Sequence, residues 1–190
     1  MIVNPIKAPY LQGGRELCVT GSCVLTASDD LLGNAIRLFE GHSWCSHAAP
    51  VVRMPAELMS AERVTLLEAL EHGLTPTYLS HYFTGFKGRL FLFTPKGISP
   101  DVQVRFSAWL LDKTFAQSKY DYVALGRQVA GHVQEDDASL FCSEAWGMAA
   151  EFAGLSRAPD APQGVAPQPP DIATWWPGDL VELVGPFTTN

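Results

Sequence analysis

This sequence is poor in positive charge. Its 13 Lys and Arg stand against 20 Asp and Glu, giving a formal net charge of −7, and they are scattered along the chain rather than clustered. No concentrated basic surface is available to neutralise phosphates, so nucleic acid is not an expected partner. Cysteine is scarce too. Cys18, Cys23, Cys45 and Cys142 are too few and too dispersed for a disulfide framework, which a chain of 190 residues does not need, and reduced thiols are expected. Cys18, Cys23, Cys45 and His47 lack the tight knuckle spacing of a zinc site, and the odd separation of the first pair would turn them to opposite faces of a shared strand. No metal is expected there.

Long apolar runs are missing as well, and none approaches the length of a membrane span. Residues 1–10, interrupted by Asn4, Pro5, Lys7 and Pro9, lack the unbroken apolar core of a secretory signal. The expectation is a soluble protein with no integral membrane segment, cytoplasmic by default. Export without a cleaved signal, association with a virion and release by lysis stay open. With 47% hydrophobic and 17% charged residues, the composition is that of an ordinary globular protein, and 190 residues suit a single domain.

What is present is an alternation of strand and helix signals. Residues 17–26 read as a strand with a bend or a short hairpin at Gly21-Ser22. Ser28 then caps a helix whose face runs through Leu32, Ala35, Ile36 and Phe39 to Gly41. Residues 46–53 read as a short strand carrying His47, in which Pro50 implies an edge or a bulge because it cannot donate to a ladder. Residues 76–83 suit a short helical turn. Residues 88–95 are apolar enough for a central strand, and Ser99-Pro100-Asp101 opens a helix that buries Val102, Phe106, Trp109 and Leu110. Asp121 caps a further helix through Val123, Leu125 and Val129, followed by an acidic surface turn at 134–137. Residues 157–173, rich in Pro, Ala and Gln, read as a surface excursion before Trp175 and Trp176, and residues 179–184 form a last strand.

Two readings compete over residues 60–73. As a helix capped by Ser60, the segment leaves Glu68 a solvated charge. As a strand, it sets Val64, Leu66, Glu68 and Leu70 on one face, so that the carboxylate lies among apolar neighbours and requires a donor to offset its desolvation. An imidazole N–H is a natural one.

The stretch Leu140-Phe141-Cys142-Ser143-Glu144-Ala145-Trp146 places one thiol where an apolar run becomes a helix. Trp146, Ala149, Ala150 and Ala153 recur at helical spacing and Gly154 can end the last turn, so Cys142 falls at the helix N-terminus. The unpaired N–H groups and positive dipole end there favour a thiolate, and can hold an oxyanion. A free cysteine is by itself more often a small buried hydrophobe, and a lone histidine more often a bonded core or surface residue. His42, His72, His81 and His132 keep that reading. Cys142 and His47 stand apart because of the company they keep.

Ser46-His47-Ala48, Leu67-Glu68-Ala69, Tyr120-Asp121-Tyr122 and Phe141-Cys142-Ser143-Glu144, in that order, resemble the circularly permuted branch of the NlpC-type, papain-like cysteine peptidase and amidase superfamily, whose relatives include lecithin:retinol acyltransferase-like proteins. The resemblance runs from about residue 17 to 155. It implies a single α+β domain over 1–190, with a permuted papain-like fold in which a small antiparallel sheet or half-barrel packs against helices. It also implies Cys142 as nucleophile, His47 as general base and Glu68 as the residue orienting the ring. The oxyanion would be held by the Cys142 backbone N–H, with Tyr120 as a further donor. Ala49-Pro50 departs from the small apolar Gly-Ile pair that the family places after the histidine.

The implied chemistry is acyl transfer through a thioester, requiring neither metal nor organic cofactor. Hydrolysis of amide bonds in bacterial cell-wall peptides is the leading expectation, with a peptide or acyl substrate, and peptidoglycan by resemblance, as partner. A thiol acyltransferase or lipid thioester hydrolase is one alternative. A non-catalytic component of a cell wall or virion that keeps the fold is the other.

Overall fold

The strand with the longest apolar run lies in the middle of a sheet. In the computed structural model, which describes residues 5–29, 43–54, 63–70, 73–115, 119–120, 139–140 and 142–185, Gly88–Pro95 forms strand β6. Around it are β1 (Ile6–Pro9), β2 (Cys23–Ser28), β3 (His47–Val52), β4 (Thr65–Leu70), β5 (Gly73–Tyr78) and β9 (Gly178–Val184), in a seven-stranded sheet ordered β1-β9-β6-β2-β3-β4-β5. Neighbours are antiparallel except β1, which runs parallel to β9. A separate parallel pair joins β7 (Lys119–Tyr120) to β8 (Ser139–Leu140). The helices are α1 (Arg15–Leu17), α2 (Pro100–Phe115), α3 (Cys142–Ala153) and α4 (Ile172–Trp175).

Period-2 alternation divides the sheet into two apolar faces. One carries Cys23, Leu25, Leu67, Ala69, Phe91 and Phe93, and it is covered by Val102, Phe106 and Leu110 of α2 and by Ala145, Trp146 and Ala149 of α3. The other carries Val24, Ala49, Val51, Leu66, Leu90 and Leu92 and is covered by Tyr10, Leu79, Tyr82 and Phe83. The class is α+β, with the long helices on one face.

The sheet itself corrects an expectation. It is open, mixed and wider than the small antiparallel sheet or half-barrel read from the sequence. The two strands of this sheet that the sequence reading omits both contain proline: β1 ends in Pro9, and β5 contains Pro76, where the helical turn is expected to begin. Both lie at the sheet's two edges, where a missing N–H leaves no ladder bond unmade. The helical turn survives only as the 3₁₀ segment Leu79–Phe83. Residues 65–70 take the strand alternative, and Ser28 ends β2; the rest of the helix expected up to Gly41 lies outside the described residues, as do those expected around Asp121 and the acidic turn.

The excursion over 157–173 is tied down by a buried arginine. Arg157 donates to the carbonyls of Pro162 (2.6 Å) and Val165 (2.8 Å), pairs with Glu151 of α3 at 2.5 Å, and lies over the rings of Trp175 and Trp176. Trp176 itself is core, and only Trp175 is partly exposed.

Candidate active site

Helix α3 is seated from both ends. At its C-terminus Gly154, with φ of +93°, lets the chain turn so that Gly154 N–H reaches Glu151 O and Leu155 N–H reaches Ala150 O. Near its N-terminus Trp146, fully buried, donates from Nε1 to Gly21 O at 3.1 Å and meets Phe93, Phe106 and Trp176 edge-on. That anchorage fixes where the first helical residue, Cys142, must lie. Its thiol is partly exposed and donates to Ala69 O of β4 at 3.7 Å.

His47 is the first residue of β3, and Glu68 lies near the end of β4. The register Val51↔Leu66 and Val52↔Thr65, carried on, sets Ala49 opposite Glu68, so His47 is its diagonal neighbour on the same face. The imidazole Nε2 lies 3.1 Å from Glu68 Oε1. The Cys142 sulfur is near enough to the same ring to act on its charge, while the thiol's own hydrogen bond goes to Ala69 O; with Nε2 committed to the carboxylate, Nδ1 is the ring nitrogen left for the sulfur. The three side chains singled out in the sequence therefore meet at one end of the β3–β4 pair.

Two hydroxyls that the sequence did not reveal complete the cluster. Thr77 of β5 donates to Glu68 Oε2, and Tyr82 of the 3₁₀ segment donates to Glu68 Oε1. Thr77 was invisible because its face depends on the β4–β5 pairing, Glu68↔Thr75 and Leu66↔Thr77, which no local pattern encodes. Burial alone would raise the Glu68 pKa, but the bonds and charge from His47, with those from Thr77 and Tyr82, outweigh it and hold the carboxyl down at about 2. Burial would likewise lower His47, yet the adjacent Cys142 sulfur and the Glu68 carboxylate push it up to about 10. The Tyr82 phenol is raised by burial and by the Glu68 charge, which keeps it a donor. Glu68 is thus a carboxylate with every strong partner a donor, and His47 is stabilised as an imidazolium.

The remaining sequence candidates fall elsewhere. The Tyr120 side chain, His42, His72 and His132 lie outside the described residues. His81 is exposed, sits edge-on to Tyr78, and with Glu68, Thr77, Tyr82 and Phe86 lines an open cavity of about 310 Å³ behind the carboxylate. All four cysteines are free; Cys18 belongs to one core face and Cys23 and Cys45 to the other. Burial raises the Cys18 thiol to about 12 and Cys23 well above its ordinary value, which suits inert packing residues.

No family model matches the chain, and no curated protein does. A solved structure does. The chain shares its fold with YiiX of Escherichia coli O157:H7. That crystal structure, described as a metalloprotein of the DUF1105 group, superposes with a TM-score of 0.60 over 88% of this chain and 97% of YiiX, at 16% sequence identity. Likeness to YiiX at that identity concerns the backbone architecture alone. Among the described residues no group of three or more His, Cys, Asp or Glu is arranged to hold a metal ion, and no helix is long and apolar enough to cross a membrane.

Proposed function

We propose that this chain is a cysteine-dependent acyl-transfer enzyme of permuted papain-like fold, acting as a hydrolase of amide bonds through a thioester. The observation that carries the reading is the meeting of three side chains: Cys142 at the head of α3, the His47 ring beside it, and the Glu68 carboxylate 3.1 Å from the ring's far nitrogen. A nucleophile, a base and a group that orients the base are the parts such chemistry requires.

In this reading the Cys142 thiolate attacks the substrate carbonyl while His47 holds the proton. The oxyanion is met by the N–H groups that open α3, beginning with that of Cys142. His47 then gives its proton to the leaving amine and the C–N bond breaks, leaving an acyl-thioester on Cys142. Water, deprotonated by His47, attacks the thioester; the acid leaves and the thiol is restored. Glu68 stays ionised throughout, holding one ring nitrogen so that the other faces the sulfur.

The substrate class rests on the resemblance to the NlpC-type superfamily and is cell-wall peptide. Incubation with muropeptides, followed by mass spectrometry, is expected to give cleaved product with the native chain and none with Cys142→Ala. Equal product from both removes the reading. An acyl-Cys142 adduct formed with lipid acyl donors and not with muropeptides would reassign the substrate to lipid without changing the chemistry.

A further inference from the structure

Proline is expected at sheet edges, and Pro9 and Pro76 are found there, but Pro50 sits in β3 between β2 and β4. The direction of its missing N–H follows from its neighbours. Val51 donates to Ser22 O on the β2 side at 2.9 Å, and by alternation the Ala49 amide, opposite Val24, faces the same side. Alternate residues of a strand point their N–H groups to opposite partners, so Pro50 and Ala48 face β4. The β2–β3 ladder accordingly runs past Pro50, pairing Cys23 with Pro50 and continuing to Thr26 with His47. The β3–β4 ladder does not. It comprises Val51↔Leu66 and Val52↔Thr65 and stops at Pro50, where the next bond would need a donor at that position to Leu67 O.

β4 nevertheless continues to Leu70, held along its whole length by β5. Backbone pairing between β3 and β4 therefore ends short of the strands' own ends although the strands stay side by side, and the three reacting side chains stand at that unpaired end. Ala69, which a continued ladder would pair with Ala48, has no partner in the β3–β4 register, and its carbonyl receives the Cys142 thiol at 3.7 Å.

We infer that Pro50 is a positioning residue for Cys142: by withholding one ladder N–H it ends the β3–β4 pairing short of the site and leaves the Ala69 carbonyl to seat the sulfur beside His47. The inference rests on Cys142 being the nucleophile. It gives a purpose to the second of the two positions, Ala49 and Pro50, where this chain departs from the Gly-Ile pattern.

Pro50→Ala and Pro50→Val both restore the donor and differ in bulk, so an effect common to the two follows the donor rather than the volume. In both, the ladder is expected to extend, and the amides of Ala48 and Ala69 to exchange with deuterium about fivefold more slowly, as one added hydrogen bond of about 1 kcal/mol would produce. Iodoacetamide labelling of Cys142 is expected to fall by about the same factor, and the His47 ring, followed by NMR, to titrate at lower pH because the sulfur has moved from it. Unchanged exchange at Ala48 and Ala69 overturns the inference. So does added protection there with unchanged labelling and titration, which would leave Pro50 a feature of the sheet alone. None of these readouts needs a substrate, so they are separable from the muropeptide test of the chemistry.

Discussion

His47 Nε2 and Glu68 Oε1 lie 3.1 Å apart, joining the start of β3 to the end of β4 across a part of the sheet where those strands form no ladder. A side-chain bond thus links the two strands beyond the last backbone pair. Because the carboxylate is buried and also accepts from Thr77 and Tyr82, this bond joins an anion held by three donors to a ring with a sulfur nearby.

The pair sets a stability profile with pH. His47 is raised from 6.5 to about 10, so its contribution is complete below 6.5 and is lost as pH climbs through 10. Glu68 is lowered from 4.5 to about 2, so its contribution is complete above 4.5 and is lost as pH falls through 2. The difference in thermal midpoint between the native chain and His47→Gln is expected to be greatest between pH 4.5 and 6.5 and to shrink on both sides. A difference that is flat from pH 3 to pH 10 would refute the assignment.

Removing the hydroxyl of Tyr82 should act on the chemistry through Glu68. Tyr82→Phe deletes a hydrogen bond to a buried carboxylate, an interaction of about 1.5–3 kcal/mol, while keeping the ring that packs against Phe86. The Glu68 pKa then climbs, and the acid limb of the kcat/KM profile moves to higher pH. Thr77→Val should shift the same limb in the same direction. A uniform loss of activity with an unmoved limb would mean that the hydroxyls serve only stability.

Much of this arrangement could be read from the chain before any coordinates. The helix beginning at Cys142 followed from the spacing of Trp146, Ala149, Ala150 and Ala153, because a face buried against a sheet must repeat at the helical period. The helix opened by Ser99-Pro100-Asp101 did too, and Ser99 Oγ accepts from Val102 N–H at 3.3 Å. Thr77, Tyr82 and the Ala69 carbonyl were not legible, since each reaches the site through strand register, which is set by long-range pairing. Edge strands β1 and β5 were hidden by their prolines and by the weak alternation of strands with one polar side. Pro50 reads in the sequence as an edge or bulge signal; its place inside the sheet depends on which way its nitrogen faces, and a sequence does not record that.

Trp146 carries the seating of α3, and its loss should be felt both as stability and as reactivity. Trp146→Ala opens a cavity beside Phe93, Phe106 and Trp176 and is expected to cost about 3–5 kcal/mol in chemical denaturation. Trp146→Phe keeps most of the volume but leaves Gly21 O without its donor, and should lose less stability while still slowing Cys142 labelling. Labelling that is unchanged in both variants would show that the position of Cys142 does not depend on this anchor.

Arg157 holds the proline-rich segment to α3. Arg157→Met removes the donors to Pro162 O and Val165 O and the pairing with Glu151, so limited proteolysis should cut within residues 158–168 at least about tenfold faster than in the native chain. Equal cutting rates would mean that the tryptophans alone keep the segment in place.

The central claim is that Cys142 is a nucleophile made reactive by His47, and selective alkylation tests it most directly. Native protein is treated with limiting iodoacetamide near neutral pH, the modified cysteines are mapped by peptide mass spectrometry, and the rate at Cys142 is compared with that of glutathione under the same conditions. The account predicts that Cys142 reacts before Cys18, Cys23 and Cys45, at least about tenfold faster than glutathione, and that His47→Ala abolishes the advantage. Labelling of Cys142 at the rate of glutathione, with no change in His47→Ala, would contradict it.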